Sequence, residues 1–378
     1  MTSIVEFYVA TTRIFPKASN MNLSKHLYAL GALTLLCGCN TVYQQKSEVL
    51  YEFPKDNAII YRYGYMPVAA FSNVFVIVSR DQIYKITDYD FKNPKLICDA
   101  RRPGWEIAAR FGDGANALKY VTGITCAPDG KIYFCDGRVN EVLSDGQYRV
   151  VAGSIDNDYV DSTDGCIARF GTAMGISYWK GKLVVADCFN NALRLVNPGT
   201  GEVRTLLGRR DESFVRYKYS SSFELNPAST DGCFDVATLR DPFYVCSQVE
   251  SDFIIVVCNE ISMSFSEYTV RRIDMKTHSV ITLAGKTYSA PEIKDGPYGR
   301  SRLVNTESAT MDDKGNVYIA NDNFIRRISN DGMISTIYAN FLKSGERGWI
   351  KVLLFDSKKS SLILIDDESV KSIKLLKQ

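Results

Sequence analysis

The feature that most constrains this chain is that it repeats. Four segments close on a similar short run: Val150-Val151-Ala152-Gly153, Thr205-Leu206-Leu207-Gly208, Thr282-Leu283-Ala284-Gly285 and Thr336-Ile337-Tyr338-Ala339. Polar Gly turns alternate with them: Asp113-Gly114 opens the first unit, and Asp164-Gly165, Asp231-Gly232, Asp295-Gly296 and, as their last equivalent, Ser344-Gly345 follow the four runs in turn. After the turn a small residue leads a hydrophobic one, as in Ala168-Arg169-Phe170 and Ser301-Arg302-Leu303. A unit that recurs along a chain is one supersecondary element stacked on its neighbours, because alone it cannot bury its apolar faces.

Inside each unit the order is constant. A short strand such as Gly123-Ile124-Thr125-Cys126 or Gly175-Ile176-Ser177-Tyr178 meets a tight turn. Pro128-Asp129-Gly130-Lys131, Trp179-Lys180-Gly181-Lys182 and Asp312-Asp313-Lys314-Gly315 have the Asp and Gly chemistry that hairpin turns demand. A second strand follows, as in Ile132–Asp136, Leu183–Asp187 or Val317–Asn321. A third reads Ala192–Val196, Val270–Ile273 or Phe324–Ile328, and the fourth closes the unit. Four short strands per unit, each bounded by turn signals, predict the blades of an all-β propeller. Residues 57–100 add strand-like runs at Ile59–Tyr61, Val74–Val78, Gln82–Ile86 and Lys95–Ile97. Residues 345–376 add three more, and Glu48–Phe53 is the candidate to complete that last blade from the N-terminal side. The expected fold is six four-stranded antiparallel blades around a central channel, closed into a ring that leaves few sheet edges exposed.

The wording of the units, not their strand count, resembles NHL repeats. That family runs roughly DG, A-R-F, G-I-A, L-Y-V-A-D, I-R-x-I and T-L-A-G. Residues 164–208 match best, followed by 295–339 and 231–285, with 113–153 recognisable. The resemblance implies a six-bladed, NHL/TolB-like propeller.

The N-terminus reads as an address. Residues 21–40 are MNLSKHLYALGALTLLCGCN: a short basic stretch, then an apolar run from Leu27 to Leu36. A spanning helix needs about 20 apolar residues, so a run this short is the core of a signal peptide. Leu36-Cys37-Gly38-Cys39 resembles the lipobox of bacterial lipoproteins, which implies that Cys39 is acylated and becomes the mature N-terminus. Asn40, rather than Asp, resembles the outer-membrane sorting signal. The expected organisation is an upstream mis-start or disordered stretch over 1–20, a signal peptide over 21–38, a linker over 39–47 and the propeller over 48–378. The expected location is the bacterial cell envelope, lipid-anchored and periplasmic or surface-exposed.

Eight cysteines follow Cys39, an even number in a compartment that permits disulfides. The repeat frame argues against bridging. Cys126 and Cys246 stand where other units carry Tyr178 and Met311, and Cys135 and Cys258 where others carry Ala186 and Ala320. Cys126 and Cys135 read as diagonal hairpin neighbours, a poor bridging geometry. Free, buried thiols are therefore expected. Arg271-Arg272 and Arg326-Arg327 invite a phosphate reading, but both pairs share one third-strand position, and the chain carries a formal charge of only +2. A structural role is expected, and no nucleic-acid partner. Asp136, Asp187, Asn259 and Asn321 recur at the end of the second strand, where they are expected to cap the following turn.

Propellers bind ligands where the loops leading to the innermost strands converge. Asp241, Asn305 and Glu307 lie at those positions, with Tyr120, Arg347 and Trp349 nearby in the repeat frame. Such oxygen ligands suit calcium. Six-bladed lactonases use a Glu/Asn/Asp metal set at this place, so the resemblance keeps a calcium-dependent hydrolase open. The chain has two histidines, His26 and His278, which excludes a three-His zinc site. It has no G-x-S-x-G, Walker or H-E-x-x-H motif. The leading expectation is a monomeric, lipid-anchored module that binds a protein or glycan ligand without catalysis and without a cofactor. The alternative is the lactonase-like hydrolase.

Overall fold

The computed structural model describes residues 47–52, 68–71, 74–79, 82–100, 121–154, 156–208, 229–260, 268–285, 295–298, 303, 306–330, 332–340, 348–366 and 369–375. The chain divides into two units, Met1–Asn40 and Thr41–Gln378, and all described residues belong to the second.

Six antiparallel sheets follow one another along the chain. Blade 1 is Val68–Phe71, Val74–Ser79, Gln82–Thr87 and Lys95–Asp99. Blade 2 is Gly123–Cys126, Ile132–Cys135, Val139–Val142 and Tyr148–Ala152. Blade 3 is Ala173–Trp179, Lys182–Asp187, Ala192–Val196 and Val203–Leu207. Blade 4 is Pro242–Ser247, Phe253–Asn259, Tyr268–Asp274 and Ser279–Ala284, and Gly232–Cys233 adds a fifth, outer strand. Blade 5 is Thr306–Met311, Val317–Asn321, Phe324–Ile328 and Met333–Ala339, with Gly296–Pro297 as its outer strand. Blade 6 is Val352–Asp356, Ser361–Ile365 and Ser369–Lys374, completed by Ser47–Glu52, which pairs antiparallel with Ser369–Lys374.

The first strand of each blade neighbours the first strand of the next, and the sixth neighbours the first. The core confirms this cycle. Six apolar clusters lie one between each pair of adjacent blades, with Phe75 and Ile86 of blade 1 packed against Ile363 and Ile365 of blade 6. This explains the unbroken apolar second strands. In Lys182–Asp187, Leu183 and Val185 face blade 2 while Val184 and Ala186 face blade 4. A strand buried on both faces does not alternate. Crowding at the axis selects glycine: a Cβ at Gly175 would lie 2.8 Å from the Phe243 carbonyl oxygen, and one at Gly123 would lie 2.3 Å from that of Met174. The six-bladed propeller expected from the repeats is the fold, with N-terminal closure by the expected segment.

Four local expectations are corrected. The first strand of blade 1 is Val68–Phe71; Ile59–Tyr61 lies outside the described residues. Two blades carry five strands rather than four. Cys126 faces Ile132 and Cys135 faces Gly123, so the two thiols lie at opposite ends of their hairpin, not diagonally. All eight cysteines are free, but Cys166 and Cys233 are exposed. Both follow an Asp-Gly turn, and that segment runs along the outside of the blade. Among the described residues no helix is long and apolar enough to cross a membrane.

Candidate functional site

The ring has two faces. On the upper face the chain passes from the outer strand of one blade to the innermost strand of the next, and the second strand turns into the third. On the lower face lie the hairpins joining first to second and third to fourth strands.

The upper face is tied together by carboxylates at the ends of the second strands. Asp187 is fully buried. Its Oδ1 accepts from the backbone N–H groups of Gly171 (2.7 Å) and Thr172 (3.1 Å), and its Oδ2 accepts from Asn190 Nδ2 (2.9 Å) and Arg194 Nη1 (2.7 Å). It therefore reaches back to the segment before the innermost strand and does not cap the turn after it. Asp136 does cap: its Oδ1 accepts from Arg138 N at 3.2 Å and from Asn140 Nδ2 at 2.9 Å. Asp366 does likewise for Ser369 N at 2.7 Å, and its Oδ2 holds Lys371 Nζ at 2.7 Å.

The arginines are structural. Arg194, Arg271 and Arg326 occupy one position in the third strands of blades 3, 4 and 5, and all three are fully buried. Each reaches an aspartate at the outer edge of its blade: Asp161 at 2.6 Å, Asp231 at 2.6 Å and Asp295 at 3.1 Å. The same carboxylate accepts the N–H of an outer-strand threonine: Thr205 at 2.9 Å, Thr282 at 2.9 Å and Thr336 at 2.7 Å. The three threonine hydroxyls donate to it as well. The partner in blade 3 is thus Asp161 rather than the Asp164 of the Asp-Gly turn, and Ser162 bridges Val203 as Gly232 pairs with Val280. Burial works against the Asp231 charge, but Thr282 and Arg271 hold its carboxyl below the ordinary value. Arg272 stacks over Phe253 with its guanidinium carbon 4.7 Å from the ring centroid, and Arg327 Nη2 donates to Asn316 Oδ1 at 2.9 Å. Neither pair forms an open phosphate cradle.

Of the candidate ligand residues, Asp241 stands at the head of the innermost strand of blade 4 with a left-handed φ of 38°. Its N–H donates to Asn191 Oδ1 of blade 3 at 2.7 Å, and its carbonyl accepts from Asn259 N at 3.1 Å. Burial pushes its carboxyl up to about 6; Arg240 opposes the shift and Glu260 adds to it. Its carboxylate has no hydrogen-bond partner among the described residues. Trp349 lies on the same face, 45% exposed, with Lys351 Nζ 5.0 Å from its ring centroid. Glu307 lies on the innermost strand Thr306–Met311 of blade 5. Tyr120, Asn305 and Arg347 lie outside the described residues, as does Cys39.

Two neighbours of Asp241 escaped the sequence reading. Arg240 is 8% exposed, and its Nε has no partner among the described residues. Glu260 is equally buried, accepting from Ser229 N at 3.1 Å and from Thr269 Oγ1 at 2.9 Å. Their only sequence signal is position, at the two strand boundaries that flank the upper face. Among the described residues no group of three or more His, Cys, Asp or Glu side chains converges to hold a metal. Of the candidate calcium set, Asp241 and Glu307 stand on the innermost-strand side of blades 4 and 5, and Asn305 lies outside the described residues.

No family model matches the chain, and no curated protein matches it. Solved structures do. A protein of unknown function from Bacteroides thetaiotaomicron is 13% identical, with 89% of this chain covering 75% of that one at a TM-score of 0.53. A gluconolactonase from Xanthomonas campestris is 12% identical, covering 91% and 93%, with a TM-score of 0.52. A virginiamycin B lyase from Staphylococcus aureus is 14% identical, covering 80% and 77%, with a TM-score of 0.46. At these identities the first two likenesses are of fold alone.

Proposed function

We propose that this chain is a lipid-anchored propeller of NHL type, held in the bacterial cell envelope through Cys39, which binds a protein or glycan on its upper face without turning it over. The supporting observation is how the upper face uses its residues. Asp136, Asp187 and Asp366 are consumed in hydrogen bonds to the third strands of their own blades. Trp349 and Phe189, by contrast, are 45% and 55% exposed there. Exposed aromatic side chains on a rigid frame supply contact area at low entropic cost, and Trp dominates many interfaces. A photo-crosslinker placed at position 349 in intact cells should give a discrete protein or glycan adduct. The same group at Lys182, on the lower face, should not. Equal labelling from both faces, or none from 349, contradicts the reading.

A second reading rests on Asp241. A carboxyl raised to about 6 by burial has the character of a general base near neutral pH, and the likeness to a gluconolactonase fold makes lactones the substrate class to screen. A calcium-specific rise in melting temperature, lost in Asp241→Asn and Glu307→Ala, would favour it. No shift with calcium, magnesium or zinc after EDTA treatment would count against it.

A further inference from the structure

We propose that the lower face of blades 6 and 1 is a docking surface for an anionic phospholipid bilayer. The proposal rests on the anchor reading for its choice of partner, and on the following geometry for its location. Ser47 pairs with Ile373, at the lower end of the outermost strand of blade 6, so the chain preceding Ser47 joins the ring on the lower face. Five exposed lysines surround that point: Lys358 and Lys359 in the first hairpin of blade 6, Lys374 at the end of its third strand, and Lys92 and Lys95 in the last hairpin of blade 1. They form one region. Lys374 pairs with Ser361 across from the Lys358-Lys359 hairpin, and Lys359 Nζ lies 3.2 Å from the ring centroid of Tyr89 in the blade 1 hairpin. Tyr89 in turn donates its hydroxyl to Asp356 of blade 6, which fixes the two hairpins against each other.

None of these five ammonium groups has an ion pair among the described residues. On the other lower-face hairpins the lysines are paired or single: Lys314 of blade 5 stands beside the exposed Asp313. Lys131 pairs with Asp129 at 3.4 Å, and Lys180 with Asp252 at 2.7 Å. Lys276 also acts on Asp252, helping to lower its carboxyl. The exposed acids near the five lysines are Glu48, Asp88 and Asp90, so the region keeps a positive excess. Val49 and Leu96, each 47% exposed, lie on the outer strands of the same two blades. Unpaired lysines beside isolated apolar side chains suit a headgroup layer, where each cation near an anionic surface adds to binding and salt removes the gain. Docking there turns the upper face, with Trp349 and Asp241, away from the membrane.

The test uses the full chain carrying Cys39→Ser, so that no acyl group contributes. Its sedimentation is measured with vesicles of phosphatidylcholine alone and of phosphatidylcholine with phosphatidylglycerol in equal parts. Any apolar contribution of residues 21–38 is common to both vesicles and to every variant. Binding to the anionic vesicles should be stronger and fall with salt. It should drop about tenfold or more when Lys92, Lys95, Lys358, Lys359 and Lys374 are all changed to Gln. Lys131→Gln with Lys180→Gln should change it less than about twofold. Equal binding to both vesicles, or an unchanged five-lysine variant, would overturn the proposal. Labelled-palmitate incorporation into the parent chain, lost in Cys39→Ser, reports separately on the anchor. Its failure with the vesicle result intact removes the anchor reading and leaves the docking surface standing.

Discussion

Blades 3 to 5 and blades 6, 1 and 2 solve the same closure problem with different chemistry. In the first group a fully buried arginine reaches through the blade to an aspartate that also holds the outer-strand threonine, so the segment arriving from the previous blade is fastened to the sheet edge. In the second group the same third-strand position carries Lys371, Tyr84 and Asn140. Lys371 turns to Asp366 and Asn340, and Asn140 to Asp136, on the upper face. Blade 6 instead takes its outer strand from the far end of the chain. The arginine latch therefore accompanies the segment laid along the outer edge of blades 3, 4 and 5; blades 1 and 2, whose outermost strands are Lys95–Asp99 and Tyr148–Ala152, carry a neutral residue there.

The largest effect should come from breaking a latch. Arg194→Met leaves Asp187 buried without its cation and should cost about 3–5 kcal/mol in chemical denaturation. Asn140→Ala, at the same position in blade 2, removes a neutral donor and should cost about 1 kcal/mol. Equal losses at the two sites would erase the distinction between the groups.

Next comes a contrast within blade 4, between a carboxyl that is latched and one that is not. Asp241 is raised to about 6, so its ionised form is the costly one in the fold. Its contribution lowers stability as pH rises from about 4 to about 6. Asp241→Asn should therefore stabilise the protein by about 2 kcal/mol at pH 7 and leave it unchanged near pH 3. Asp231 is lowered, so its contribution is present above its unfolded value and is lost as the pH falls below about 4. Asp231→Asn should destabilise at neutral pH only. Urea midpoints across this range check both signs.

The smallest effect leaves stability untouched. Of the eight described thiols, Cys166 and Cys233 on the latch segments are exposed. Burial pushes the Cys98 thiol up to about 11 and those of Cys126, Cys246 and Cys258 up to about 12. A thiol reagent applied to the folded protein should modify Cys166 and Cys233 first, as read by peptide mass spectrometry. Early labelling of Cys135 or Cys258 would contradict the burial described.

The strands were legible where both faces are buried. Runs such as Leu183-Val184-Val185-Ala186, ended by Asp187, admit little else between Gly turns. Val68–Phe71 was not, because its two alanines carry too little apolar signal to mark a strand. The latch partner of blade 3 has no local mark, because Asp161 is followed by Ser162 where blades 4 and 5 use glycine. Arg240 and Glu260 were invisible because nothing local marks them: only the juxtaposition of two strand boundaries brings them beside Asp241. Asp241 and Trp349 lie on the upper face because each stands in the segment leading to the innermost strand of its blade.

The account depends most on the closing strand. Hydrogen exchange of the amides of Ser47–Glu52 that face Ser369–Lys374 tests it directly. Protection matching that of Ser369–Lys374 is the predicted result, because the ring opens only when both strands are released. Exchange at the free-peptide rate, with the other five blades protected, would contradict a ring closed from the N-terminal side.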